Sequence, residues 1–417
     1  MNQRFASFLL FLNYLSTGLL TPVMSLMVLE QGITLGQLAL ALGIYSATVL
    51  VLEVPSGIAC DMVGRKGVFV LSQVLQIPAF WLVSHSGNAL WICAIGFIFY
   101  GTARAFSTGS LEAMLIDAAI ERDGKAGLPR ITSNLMVAEG TGLAVGSLIG
   151  GALPSIFSVE GAAGSLYIGN LWGKLLLSGA IALLAWFGIH GDYKSKEERP
   201  KLGQHLGEAA KVISQSSIIQ GVLISMVATG FFFAGLETYW QPRLLELLPN
   251  QSYLWMTGVL ACLYFACSLG GSALVRMVME RWQQSVLPVL LYFGCRSFMC
   301  VALMLLAAQQ GLGGFVIFYC ATYLMMGSAN VVEGVLLNSE TPSSMRSSMI
   351  SVSSLLMQCG AMVASLLFGW MMNFSTILEV WFVAAVMIGV SAVLMLMKAG
   401  KKGAQLRLTP KEEEACS

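Results

Sequence analysis

Long apolar stretches follow one another through the chain, separated by short polar breaks. Twelve can be delimited, at 5–28, 37–60, 67–86, 89–119, 132–155, 167–189, 217–240, 253–277, 285–308, 314–338, 347–370 and 377–398. A helix that crosses a bilayer needs ~20 mainly apolar residues. Only structures that satisfy their own backbone hydrogen bonds are stable there. The pattern therefore predicts an all-α membrane protein of twelve transmembrane helices. The fourth stretch is the longest, which predicts either ends projecting beyond the hydrocarbon or a tilt. Pro22, Pro55, Pro78 and Pro154 lie within or near the ends of stretches, where they predict kinks rather than breaks in topology. The first stretch carries Asn13, Tyr14 and Thr17 and is too long for the core of a cleavable signal.

The polar breaks set the orientation. Alternate segments hold Arg4, then Arg65 and Lys66, then Arg122, Lys125 and Arg130, and so on to the basic tail, while the intervening loops hold only Arg243. The excess of basic residues marks the cytoplasmic side, so both termini are expected in the cytoplasm of a bacterial inner membrane. The longest polar segment, 190–216, has six stretches on either side. The expected organisation is a six-helix bundle over 1–189, a cytoplasmic linker over 190–216, a second six-helix bundle over 217–398 and a cytoplasmic tail over 399–417.

Composition agrees with this. Of 417 residues, 56% are hydrophobic and 11% charged, with a mean hydropathy of +0.76. A soluble domain carries about 25% charged residues, so lipid must be the main solvent. A net charge of +1 argues against a nucleic-acid partner, and none is expected. The nine cysteines are scattered without a C-x-x-C, and His85, His190 and His205 show no ligand spacing. No metal and no cofactor are expected. The chain has no clustered His, Asp or Cys site of a membrane enzyme and no G-x-x-x-x-G-K motif for direct use of ATP.

Between the second and third stretches lies Gly57-Ile58-Ala59-Cys60-Asp61-Met62-Val63-Gly64-Arg65-Lys66. It reads as a tight charged loop in which Gly57 permits close helix approach and Gly64 a backbone bend. The spacing resembles the loop signature G-x-x-x-D-x-x-G-R-K of the major facilitator superfamily. A run in the fifth stretch, with Gly142, Gly146, Gly150 and Gly151, is similar to that family's antiporter motif G-x-x-x-G-P-x-x-G-G, with Ser147 at the proline position. Its glycine face predicts close packing against a helix of the other half. A third family motif, R-x-x-x-G, misses by one residue, since Arg104 is followed by Gly109. A weak repeat lays Ser107, Glu112 and Asp117 over Ser328, Glu333 and Asn338. The resemblance implies the two-bundle fold, alternating access by a monomer, and the drug-and-proton antiporter branch. It also implies that Asp61, Arg65 and Lys66 belong to a conformational switch, with Asp117 pairing Arg65 to hold the outward-open state.

An ionisable side chain at the middle of a membrane helix costs ~2.5–3.5 kcal/mol on insertion scales, so it is a functional candidate by default. Arg104, Thr108 and Glu112 are spaced i, i+4, i+8 and share a broad face of one helix. They form either a proton-responsive, substrate-orienting stripe or an ion network that fixes packing. Thr229, Phe233, Glu237 and Trp240 make a stripe suited to a cation. Tyr323, Asn330 and Glu333 lie on a mixed polar and apolar helix face. Glu112 and Glu333 are the first candidates for proton coupling and Glu53 and Glu139 the next; Glu333 has no basic residue within two turns on its own helix. Asn13 and Thr17 complete the expected substrate cavity. Lys174 is expected to pair with an acid, and Arg296 to bond carbonyls of a neighbouring helix. The expected partners are a small-molecule substrate, protons and the lipid bilayer. The expected function is proton-coupled efflux of hydrophobic or cationic compounds. The alternatives are transport of a specific metabolite (a sugar, a carboxylate or a siderophore) and a transporter-like sensor.

Overall fold

The computed structural model describes residues 3–108, 110–123, 128–157, 165–189, 210–282, 287–342 and 345–408. Most of the expected linker, residues 190–209, and the end of the tail lie outside them. The described residues are almost entirely helical. The first half holds α1 (Gln3–Gly18), α2 (Met24–Glu30), α3 (Leu35–Val63), α4 (Arg65–Ser84), α5 (Leu90–Ser107), α6 (Leu111–Asp123), α7 (Leu128–Phe157) and α8 (Ile168–Gly188). The second holds α9 (Ser217–Leu247), α10 (Trp255–Arg281), α11 (Leu287–Ala307), α12 (Leu312–Glu340), α13 (Arg346–Met371) and α14 (Ile377–Leu408). Eleven segments are long and apolar enough to cross a membrane, and Phe5–Gly18 is a shorter apolar helix.

Four local departures from the expected pattern matter. The first stretch is two helices, because Pro22 has no N–H to give and the chain turns over Leu19–Val23 before α2 begins. The fourth is also two, α5 and α6, joined through Thr108 and Ser110. The segment read as a loop at 57–66 is mostly helix: α3 continues to Val63 and α4 starts at Arg65, leaving Gly64 as the corner. Gly64 has φ of 94°, a left-handed conformation that side chains resist. The last helix runs ten residues past the expected end at 398, to Leu408.

The internal repeat, faint in the sequence, is plain in the packing. In the first half α1 lies on α7 and α8, α3 on α5, and α4 on α5 and α8. In the second half α9 lies on α13 and α14, α10 on α12, and α11 on α12 and α14. Each of these contacts in one half has its counterpart in the other. Between the halves, α3 packs on α13 and α7 on α10, which is again one contact and its symmetry mate.

The glycines of α7 explain part of this arrangement and correct one expectation. Gly142, Gly146 and Gly150 face α1 of their own half; a Cβ on them would lie 2.7 Å from Phe11 O, 2.9 Å from Gly18 Cα and 2.8 Å from the Leu19 carbonyl carbon. Only Gly151 meets the other half, where a Cβ would lie 2.5 Å from Gly258 Cα. Three of the four glycines therefore seat α1 rather than the interface between halves.

Candidate functional site

A cavity of about 460 Å³ lies between the halves. The first half contributes α1 with Asn13 and Thr17, the turn after it with Thr21, α3 with Tyr45, α4 with Gln76, α5 with Tyr100 and Arg104, and α7 with Glu139. The second contributes Phe233, Glu237 and Gln241 of α9, Tyr264 and Phe265 of α10, and Gln358 of α13. Both walls mix polar and apolar groups, as ligand pockets do.

One end of the cavity is sealed by contacts between the halves. Gly36 of α3 faces Gly369 of α13 so closely that a Cβ there would lie 2.8 Å from the Gly369 carbonyl oxygen. On the opposite side Gly258 faces Ser147 O, at 2.5 Å from its ideal Cβ. Between these seams stands Gln241, 3% exposed. Its amide nitrogen donates to Thr21 O at 2.6 Å and its amide oxygen accepts from Ser25 N at 2.8 Å. In an unbroken helix Ser25 N–H would donate to Thr21 C=O, four residues earlier. The break at Pro22 separates these groups, and the side chain from the other half bridges them.

At the other end, toward the Gly64 corner, the halves splay. No described glycine there approaches the other half as closely as Gly36 or Gly258 does; the nearest neighbour of a Cβ on Gly140 would be Leu269, at 3.9 Å. The cavity is thus open toward the end that carries Arg65 and Lys66.

Arg104 sits in the cavity wall with its side chain exposed to that space. Its electrostatic neighbours are Tyr45, Tyr100, Tyr14 and Glu112. The rings of Tyr45 and Tyr100 stack with centroids 4.8 Å apart. Among the described residues its guanidinium makes no hydrogen bond and no ion pair. A small cleft continues from the cavity through Asn13, Tyr14, Arg104, Thr108 and Glu112. There Tyr14 OH donates to Glu112 Oε1 at 2.6 Å. Arg104, Thr108 and Glu112 are therefore neighbours, but not as a stripe on one straight helix: Thr108 caps α5, bonding Arg104 O at 3.1 Å, and Glu112 begins α6.

Other expected cavity residues divide clearly. Asn13, Thr17, Phe233, Glu237 and Glu139 line the cavity. Tyr323 is fully buried behind the wall, and its hydroxyl donates to Glu237 Oε1 at 2.8 Å. Trp240 is corrected: it is 1% exposed and packs in the core of the second half, its ring 5.5 Å from that of Tyr319. It stands only about 60° round the helix from Glu237, yet its ring is taken up by the core instead of the cavity. Asn330 is exposed on α12, away from the cavity lining. Glu53 is half-buried on α3, where its carbonyl rather than its carboxylate accepts from Ser56 Oγ, at 2.8 Å.

Glu333 has the cation that its own helix lacks. Tyr292 OH, from α11, donates to Glu333 Oε2 at 2.8 Å, and Arg296 Nη1 donates to the same hydroxyl at 3.4 Å. Arg296 is 2% exposed and also bonds Thr229 Oγ1 at 3.0 Å, Ser225 O at 3.2 Å and Ser391 Oγ at 2.9 Å. The relay Arg296–Tyr292–Glu333 thus ties α9, α11, α12 and α14 together. Sequence reasoning misses it, although Tyr292 and Arg296 stand i, i+4 in an apolar stretch, a spacing that puts them on one face. Lys174, expected to pair with an acid, is 1% exposed and lies over the Phe80 ring at 5.3 Å; no acid bonds it among the described residues.

Arg65 pairs with Asp117, and Lys66 donates to Ile189 O at 2.7 Å. These bonds join α4 to α6 and to the end of α8, all within the first half. The Asp61 side chain lies outside the described residues.

Twelve apolar segments in two equivalent halves, with a cavity between them open at one end, define a membrane transporter. The chain belongs to the Major Facilitator Superfamily, whose profile matches residues 6–324. It is a multi-pass membrane protein and not an enzyme. It is 26% identical over 243 residues to an uncharacterized MFS-type transporter, YxaM, of Bacillus subtilis, a match spanning 56% of each chain. That relative agrees with a bacterial membrane. Solved structures share the fold at low identity. A point mutant of the nucleoside transporter NupG superposes with a TM-score of 0.78 at 12% identity, covering 95% of this chain and 99% of that one. A D-xylose-proton symporter gives 0.69 at 12% identity, covering 94% and 96%.

Proposed function

We propose that this protein is a proton-coupled secondary transporter that moves a small polar organic molecule by alternating access. The observation that carries the reading is the cavity itself, built by both halves, sealed at one end by Gln241 and the glycine seams, and open at the other. With the termini inside, as the basic residues suggest, the open end faces the cytoplasm. The halves are the moving bodies: each is tied internally, while few hydrogen bonds cross between them.

The coupling element is the relay in the second half. Arg296 is buried among helices, and a buried cation needs a compensating anion. Glu333 supplies it through Tyr292. Adding a proton to Glu333 removes that compensation, so the relay favours a different helix arrangement in its protonated and ionised forms. The aromatic side of the cavity, with Phe233, Tyr264 and Phe265 beside Glu237, supports efflux of cationic compounds as a second reading. Arg104, which makes no ion pair among the described residues, supports a substrate that carries an anionic group.

The test uses purified protein in liposomes that enclose a pH-sensitive dye. Addition of a bound compound is expected to drive proton movement. Glu333→Gln is expected to abolish both this movement and uphill accumulation while leaving downhill exchange. Uphill accumulation by Glu333→Gln equal to that of the unmodified protein would remove the relay from coupling.

A further inference from the structure

The cavity carries ionisable groups of opposite sign that face each other from the two halves. Arg104 of α5 lines it from the first half, with no hydrogen bond or ion pair among the described residues, and Glu237 of α9 lines it from the second. Tyr323 takes one oxygen of Glu237 and so holds the carboxylate toward the space. Each charge has a setting suited to one functional group. Arg104 stands beside the stacked rings of Tyr45 and Tyr100, with Asn13 and Gln76 also in the lining. A guanidinium offers paired donors to a carboxylate. Glu237 stands one turn from Phe233 and across from Tyr264 and Phe265. Aromatic faces around a carboxylate suit an ammonium group and an apolar body.

From this arrangement we propose that the substrate is an aromatic zwitterion of amino-acid size, its carboxylate held by Arg104 and its ammonium by Glu237. The proposal rests on the transporter reading and narrows it to a chemical class. Three simpler classes fit less well. A plain cation meets the Arg104 guanidinium in the same space. A plain anion meets Glu237, and Glu139 of α7 besides. A neutral sugar expels water from both charges and returns a counter-charge to neither, which is costly in a closed site. The zwitterion satisfies both. A cavity of about 460 Å³ is within the range that holds such a molecule. Because the two charges belong to different halves, a molecule that bonds both also draws the halves together. A fragment that bonds only one does not.

Phenylalanine, tyrosine and tryptophan are the probes, each as the free amino acid, the methyl ester and the N-acetyl derivative. Binding to the purified full-length protein is measured by calorimetry. At least one free amino acid is expected to bind about tenfold or more tightly than both of its derivatives, the scale of a lost charged hydrogen bond. Arg104→Gln is expected to erase its advantage over the ester, and Glu237→Gln its advantage over the N-acetyl form. Arg104→Lys is expected to keep part of the first advantage, and an unchanged thermal midpoint shows that each variant is folded. The proposal is overturned if an ester binds as tightly as its free form, if no free form binds, or if the variants weaken all three forms equally. Esters that exchange across liposomes while free forms do not would end the zwitterion assignment and leave the transporter reading standing. If none of the nine compounds exchanges and spin-label distances across both ends stay fixed, the transporter reading itself fails.

Discussion

Replacing Gln241 with Leu should open the sealed end. The side chain is buried, and Leu nearly conserves its volume, so the main loss is the pair of hydrogen bonds to Thr21 O and Ser25 N. Each contributes about 1 kcal/mol net. Both exist only while the halves meet, so the sealed state loses about 2 kcal/mol relative to the open one. That is a roughly 30-fold change in their ratio, because 1.4 kcal/mol is tenfold. The polar groups left behind add to the effect, since Ser25 N–H and Thr21 C=O stay buried in the sealed state and find water in the open one. The assay is the distance between spin labels at Asn88 and Asn250, near the sealed end of each half, in protein freed of its native cysteines. A longer distance should rise from a minor to a major component. An unchanged distribution in a folded Gln241→Leu protein would refute the idea that this amide joins the halves.

Three further outcomes follow from the geometry. Gly146→Val should lower stability by roughly 1–3 kcal/mol, the range for an overpacked core, because its Cβ enters the backbone of α1; Gly140→Ala, whose Cβ would make only an ordinary contact with Leu269, should not lower the thermal midpoint. Asp61→Asn should slow exchange between states while binding stays nearly intact, and a collapse of affinity at an unchanged exchange rate would remove it from the switch. With both termini inside, a cysteine placed at Gln251 should react with an impermeant reagent added to intact cells and one placed at Ser195 should not; labelling of 195 would invert the topology.

How far the sequence reaches is clear from particular residues. Apolar length alone locates nearly every membrane segment, because a chain in lipid has few other options. The first-half wall is legible too: Asn13, Thr17, Arg104 and Glu139 are polar residues in apolar stretches, and each lines the cavity. What stays hidden is rotation about the helix axis. Lipid-facing and core-facing sides of a membrane helix are both apolar, so periodicity does not distinguish them, and Trp240 and Asn330 lie away from the side expected of them. Bonds between helices are hidden for the same reason. The partner of Glu333 is on α11, and the partner of the break at Pro22 is on α9 in the other half; nothing near either residue in the chain signals them. The break between α5 and α6 escapes the pattern because the long apolar stretch 89–119 runs through it.

The central claim is that the two halves must separate at the sealed end for transport to occur. Gly43 of α3 and Ser365 of α13 sit across that seam, and an ideal Cβ on Gly43 lies 3.2 Å from the Ser365 Cβ. That is close to the ~3.5–4.5 Å of a disulfide. In protein freed of its native cysteines, Gly43→Cys with Ser365→Cys can be oxidised to lock the seam and reduced to free it. Exchange of a bound compound across liposomes should stop on oxidation, with binding from the open end retained, and return on reduction. Full-rate exchange by the fully cross-linked protein would contradict the account.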